Sequence, residues 1–186
     1  MKTLADFVAP GLRILSVGLN PSLPSVEAGY PFANPRNRFW KALNASTLLS
    51  EPVEPCIDAM HQLLDRERIG FTDVVKRPTR GAADLRATDY REAAPQLRTL
   101  IESLEPRWVW FHGKLAWQHY LHHANTECED DGWGQQACLI GNSHIFVTPN
   151  PSPANAAFSL DDLIESYNTF AQIVRRVDIA VQRGAN

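Results

Sequence analysis

The sequence has little positive charge to spare. Its 18 lysines and arginines against 21 aspartates and glutamates leave a net charge of −3, without the basic surplus that usually marks a nucleic-acid-binding domain. Local basic clusters survive at Arg36 and Arg38 and at Lys76, Arg77, Arg80 and Arg86, which solvated surface would equally explain. Apolar runs are short, and none reaches the roughly 18 residues of a membrane-spanning helix. Cysteine is scarce: Cys56, Cys128 and Cys138 stand at no motif spacing, which predicts reduced thiols and a cytoplasmic protein. Three cysteines also fall short of the four ligands an iron–sulfur cluster usually takes. The opening MKTLADFVAPGLRILSVG is interrupted by acidic and proline residues and predicts no signal peptide. G-x-x-x-x-G-K-[ST], G-x-G-x-x-G and G-x-S-x-G are all missing, which argues against phosphate loops and an α/β-hydrolase elbow.

What is present is the patterning of an α/β protein. The 186 residues fit a single domain, 1–186. RILSVG (13–18) predicts a buried strand, RWVWFHG (107–113) a strand, SHIFVTPNPS (143–152) a strand running into a proline loop, and IGFTDVV (69–75) a strand or irregular crossing. Helical spacing predicts a helix in 34–49, capped by Asn34 with Pro35 in first position, and another over 55–67. Further helices are expected over 89–104, begun or split at Pro95, from Lys114, and from an N-cap at Ser159. Strands alternating with helices predict a parallel sheet covered on both faces. Ligands of such sheets lie beyond the strand C-termini, so the loops at 18–32, 112–114 and 149–158 are expected to converge.

Three stretches carry a resemblance. GLNPS (18–22), GYPFANPRNRFW (29–40) and NPSPANAAF (150–158) resemble, in order, the motifs of the mismatch-specific uracil/thymine DNA glycosylases of the uracil-DNA glycosylase superfamily. APGLRILSVG, IGFTDVVKRPT and HGK fit the same family between them, so the resemblance runs nearly end to end. It implies a three-layer α/β/α sandwich with a short central parallel sheet. It implies a monofunctional enzyme that hydrolyses the N-glycosidic bond of uracil, and of other deaminated or mispaired bases, leaving an abasic site in DNA. No cofactor and no metal are implied. The expected partner is duplex DNA with a mismatched or deaminated base, or single-stranded DNA; no membrane is expected, and the protein is expected to be a monomer.

Site residues follow from the resemblance position by position. Asn20 matches the catalytic asparagine that orients the attacking water. An amide has no proton equilibrium near neutrality, so its work is positioning. Phe32 matches the aromatic that stacks on the extruded base, with backbone groups of Leu19 and Phe32 on the base edge. Ser22 stands where uracil-only relatives carry a tyrosine that excludes the thymine methyl. Asn150, Pro151, Ser152, Pro153, Ala154 and Asn155 form the loop that holds opened DNA. Apart from the resemblance, Lys114 is expected to face a phosphate from its place at a helix start after His112-Gly113. Two departures stand out. Ala154 replaces the expected leucine wedge, leaving Asn155 or Phe158 as substitutes. Asp73 stands where relatives have lysine or asparagine: either a general base with its pKa raised by burial, or a surface carboxylate paired with Lys76 or Arg77.

Two other classes remain open. One is a catalytically inactive DNA-damage-binding module on the same fold. The other is a zinc hydrolase using His119, His122, His123 and Cys128, whose spacing lacks a further ligand.

Overall fold

A computed structural model describes residues 2–129 and 132–184. Strands β1 (Ile14–Gly18), β2 (Ile69–Asp73), β3 (Trp108–His112), β4 (Gly134–Ile140) and β5 (Ser143–Thr148) form one sheet in the order β2-β1-β3-β5-β4. The first four in that order run parallel, and β4 pairs antiparallel with β5. Helices α1 (Leu23–Ala28), α2 (Phe39–Ala45), α3 (Ile57–Gln62), α4 (Ala87–Leu104), α5 (Lys114–His123) and α6 (Leu160–Gly184) flank it.

Alternation along the central strands builds three layers. Leu15, Val17, Val109, Phe111, Ile145 and Val147 face α4 and α5, packing with Leu97, Ile101, Trp117 and Tyr120. Ile14, Ile69, Phe71, Trp108, Trp110 and Phe146 face the other way, against Trp40, Met60, Tyr167 and Phe170 of α2, α3 and α6. Because both faces are covered, β1 and β3 are buried at every residue, which is why they read as continuous apolar runs. The three-layer α/β/α architecture is as expected.

Several local expectations need correcting. The sheet is not wholly parallel: β4 is an edge strand, and GQQACLI offers too few β-branched residues to be visible in advance. Asn34 does not cap α2. Its Oδ1 accepts from the Arg36 amide (3.0 Å), Asn37 Oδ1 accepts from the Phe39 amide (2.9 Å), and the helix starts only at Phe39. Short α1, within the Gly/Pro-rich stretch, is nucleated by Ser22, whose Oγ accepts from the Ser25 amide (3.2 Å). Pro95 neither begins nor splits α4. It sits on an exposed face, where water can reach the carbonyl that a proline leaves without an amide donor. The capping expected at Ser159 holds: its Oγ accepts from the Asp162 amide (3.1 Å) and its own amide donates to Asp162 (2.6 Å).

The thiols are not all reduced. Cys128 and Cys138 are joined as a disulfide with Cα atoms 5.7 Å apart, leaving Cys56 free. Two cysteines ten residues apart carry no motif, and β4 brings them together. Among the described residues no helix is long and apolar enough to cross a membrane.

Candidate active site

At the C-terminal ends of β1, β2, β3 and β5 the expected loops do converge. They line a cavity of about 820 Å³ containing Leu19, Asn20, Ser22, Phe32, Asp73, His112, Lys114, Asn150, Ser152, Pro153, Ala154 and Asn155. Pro151 is outside that lining; it is buried, and its carbonyl accepts from Arg38.

Asn20 lies two residues beyond the end of β1 and is held by its amide nitrogen. Nδ2 donates to Thr79 Oγ1 (2.8 Å) and the Arg77 carbonyl (3.0 Å). These bonds fix the flip of the side chain, and among the described residues nothing donates to Oδ1. A fixed acceptor at a cavity wall is suited to aiming a water.

Asp73 ends β2 opposite Gly18 in the parallel register. A side chain at Gly18 would collide with Asp73 Oδ1, so the glycine is what lets the carboxylate lie across the strand end. Burial of the carboxyl raises its pKa from 3.8 to about 7, over the opposing pull of Lys76. The alternative surface pairings are taken: Lys76 binds Asp6 (2.6 Å), and Arg77 binds Asp89 (2.7 Å).

Phe32 has φ of +57°, the left-handed region that a bulky residue occupies only at a cost of about 1–3 kcal/mol. Its neighbours are pinned on both sides, the Ala33 amide to Ser25 Oγ (3.2 Å) and the Pro31 carbonyl to Trp40 Nε1 (3.1 Å). The ring stacks on Phe39 at 4.1 Å, and His112 meets it edge-on at 5.2 Å. Neither backbone group of Phe32 has a hydrogen-bond partner among the described residues. The Leu19 carbonyl accepts from the Val75 amide (2.9 Å), leaving its N–H as the group it can offer.

His112 is a wall residue that sequence reasoning missed. It is 1% exposed; Nε2 pairs with Ser16 Oγ at 2.8 Å, and Nδ1 has no partner. Burial pushes its pKa down to about 3, so the ring is neutral at physiological pH. Its place in RWVWFHG marks it only as a strand end; the cavity beside it is a tertiary fact.

Arg38 was also missed. Its guanidinium donates to the carbonyls of Ser152 (3.0 Å), Asn155 (2.8 Å), Pro151 and Phe158, clamping the loop beyond β5. Within that loop Asn150 Oδ1 accepts from the Ser152 amide (2.8 Å), and Asn155 Nδ2 donates to the Asn150 carbonyl (3.0 Å). Asn150 and Asn155 are thus spent on shaping the turn, while Pro153 and Ala154 are exposed.

Charge at the cavity departs from the chain as a whole. Among the described residues, Arg36, Arg80 and Lys114 line it against the carboxylate of Asp73, and none of the three is in an ion pair. The histidine group on α5 is committed elsewhere: His119 stacks on Tyr90 at 3.8 Å, and Cys128 is held in the disulfide. Among the described residues no three His, Cys, Asp or Glu are grouped to hold a metal.

The sequence model of the uracil DNA glycosylase superfamily matches residues 5–177. Among solved structures, the chain is similar to the solution NMR structure of a candidate uracil DNA glycosylase from Methanosarcina acetivorans. The two share 18% identity with a TM-score of 0.58, over 95% of this chain and 98% of that one. At that identity the likeness is one of fold.

Proposed function

The chain belongs to the uracil DNA glycosylase superfamily, and from that premise we propose that it is a single-domain, monofunctional DNA glycosylase of the mismatch-specific type. It removes uracil and other deaminated or mispaired bases by hydrolysis. The observation that carries the reading is the pairing of a tethered amide, Asn20, with an enclosed carboxyl, Asp73, in one cavity.

The target nucleotide leaves the stack at a cost of a few kcal/mol, least for a mispaired base, and its base lies against Phe32. The Leu19 N–H and the free backbone groups of Phe32 read its edge. Asn20 Oδ1 accepts one hydrogen bond from a water and so aims its oxygen at the anomeric carbon. As the C–O bond forms, the N-glycosidic bond breaks and its electron pair leaves with the base. The water's other proton passes to the Asp73 carboxylate, which burial has made basic enough to take it near neutrality. Arg36, Arg80 and Lys114 face the phosphates. Ser22, small and turned to its capping bond, leaves room for bases larger than uracil.

The test is single-turnover base release from duplexes with G·U and A·U pairs and from single-stranded DNA, for wild type and Asn20→Ala. Release from wild type that falls about 10²-fold or more in Asn20→Ala is expected. Absence of release from every substrate overturns the catalytic reading; retained binding to abasic DNA would then favour a damage-binding module.

A further inference from the structure

Ala154 leaves the exposed tip of the loop beyond β5 without a large side chain to press into opened DNA, and Phe158, at the end of the loop, is half-buried against Trp133. The loop's exposed residues are Pro153, Ala154, Ala156 and Ala157, and Asn155 is turned inward. A large exposed apolar group nevertheless stands at the cavity mouth. Trp133 lines the cavity and is 43% exposed; Leu115, at 44%, lines the same cavity. The other four tryptophans are at most 6% exposed.

Trp133 is mounted rather than loose. It lies between Gly132 and Gly134, whose φ values of +92° and +93° favour glycine. The carbonyls of both glycines accept from Nε2 of the buried Gln136, at 3.2 and 3.1 Å, and Trp117 Nε1 donates to the Oε1 of the same side chain (3.2 Å). The Cys128–Cys138 disulfide closes the segment that contains it. Phe158 meets the indole edge-on at 5.3 Å, and the Lys114 ammonium sits 5.0 Å from its ring centroid. An ordered aromatic beside a cation, at the mouth of a cavity lined by Arg36, Arg80 and Lys114, matches how proteins hold nucleobases and backbone together.

We propose that Trp133 is a nucleobase-stacking residue for bound DNA: it stacks on a base bordering the position vacated by the extruded nucleotide, a task for which the 150–158 loop has no large free side chain. Gln136 is its positioning residue. This rests on the reading of the chain as a DNA glycosylase and names a contact outside the base pocket.

The experiment measures binding to a duplex with a tetrahydrofuran abasic analogue, which offers no base to release, alongside uracil release from a G·U duplex. Trp133→Ala is expected to weaken abasic-duplex binding roughly 5- to 150-fold, the range of one lost base stack. Trp133→Phe, which keeps a ring, loses less. Leu139→Ala removes an equally exposed apolar side chain from β4 and changes nothing. Because Trp133 is the exposed tryptophan, iodide quenching of intrinsic fluorescence reports it, and bound duplex shields it. Gln136→Leu weakens binding and raises iodide access together.

Trp133→Ala binding within twofold of wild type, or iodide access unchanged by DNA, overturns the proposal even where uracil is released. Trp133-dependent binding without base release supports it and overturns only the catalytic reading. A wild type that binds no DNA overturns both.

Discussion

Replacing Asp73 by asparagine should make the protein slower and more stable at once, and the two effects have one cause. Burial holds the carboxyl pKa at about 7 instead of 3.8. The folded state then binds a proton that the unfolded state has already lost, between those two values. Stability contributed by this group is therefore greatest below pH 3.8, declines as pH rises toward 7, and levels off above it. About 3 pKa units correspond to about 4 kcal/mol at pH 8, an upper bound because the residue retains some exposed surface. His112 acts in the opposite sense. Its folded pKa of about 3 lies below the ordinary 6.5, so it costs stability progressively as pH falls through that range. The two slopes oppose one another across pH 4 to 6.5, and a wild-type stability curve alone would be flat enough to mislead. The difference between wild type and Asp73→Asn isolates the carboxyl, because His112 is common to both.

Urea unfolding at pH 4, 6 and 8 should show the asparagine variant near wild type at pH 4 and more stable by up to about 4 kcal/mol at pH 8. Single-turnover release at pH 8 should fall about 10²–10⁴-fold, the usual share of a general base. Wild-type rate should climb close to tenfold per pH unit well below 7 and flatten above it, while the variant's residual rate shows no such bend. A variant within threefold of wild type, or one less stable at pH 8, would refute the assignment. The second result would mean that the carboxylate is ion-paired and charged.

Four further outcomes test other parts of the site. Arg38→Lys replaces a fork bonded to four carbonyls by a single ammonium. It should cost about 1–3 kcal/mol and speed hydrogen exchange in 150–158, read by urea unfolding and mass spectrometry. If Arg36, Arg80 and Lys114 each displace one counterion, log Kd should follow log salt with a slope near 2.7; affinity then drops roughly 40-fold from 50 to 200 mM salt in a titration. Breaking the Cys128–Cys138 bridge, by reductant or as Cys128→Ser with Cys138→Ser, should cost about 3 kcal/mol by loop-closure entropy, seen as a lower Tm. Ser22→Ala removes the α1 cap and should cost about 1 kcal/mol, measured by urea unfolding, without abolishing base release.

The parts of this molecule legible in the sequence are those where one local physical demand dominates. β1 and β3 must be apolar at every position because helices cover both faces, so their strand character survives with no neighbour in view. β4 has no such demand: an edge strand tolerates Gln135, Gln136 and Cys138 and was invisible. The start of α2 was misplaced for a related reason. Asn34-Pro35 is a sound local start signal, but Asn34 closes its own turn. The Arg38 guanidinium is drawn 113 to 120 residues along the chain, to a loop no local rule could connect with it.

The same division runs through the site. Asn20, Phe32 and the loop at 150 are singled out by motifs at strand ends, and the structure brings them to one cavity. His112, Arg38 and Trp133 acquire their roles only when distant segments meet. The two aromatics at the cavity illustrate the difference. Phe32 is held in a strained backbone by bonds on either side of it, whereas Trp133 sits between glycines that leave its backbone unstrained while a buried glutamine fixes their carbonyls. A ring that must stay at one depth against a small base can be held by strain that its neighbours over-determine. A ring that must meet deformable DNA at the rim needs orientation with room to adjust, and glycine brackets allow that. On this reasoning Phe32→Leu should alter which bases are released more than how tightly DNA binds, and Trp133→Ala should do the reverse; release and binding measured on one substrate set would separate them.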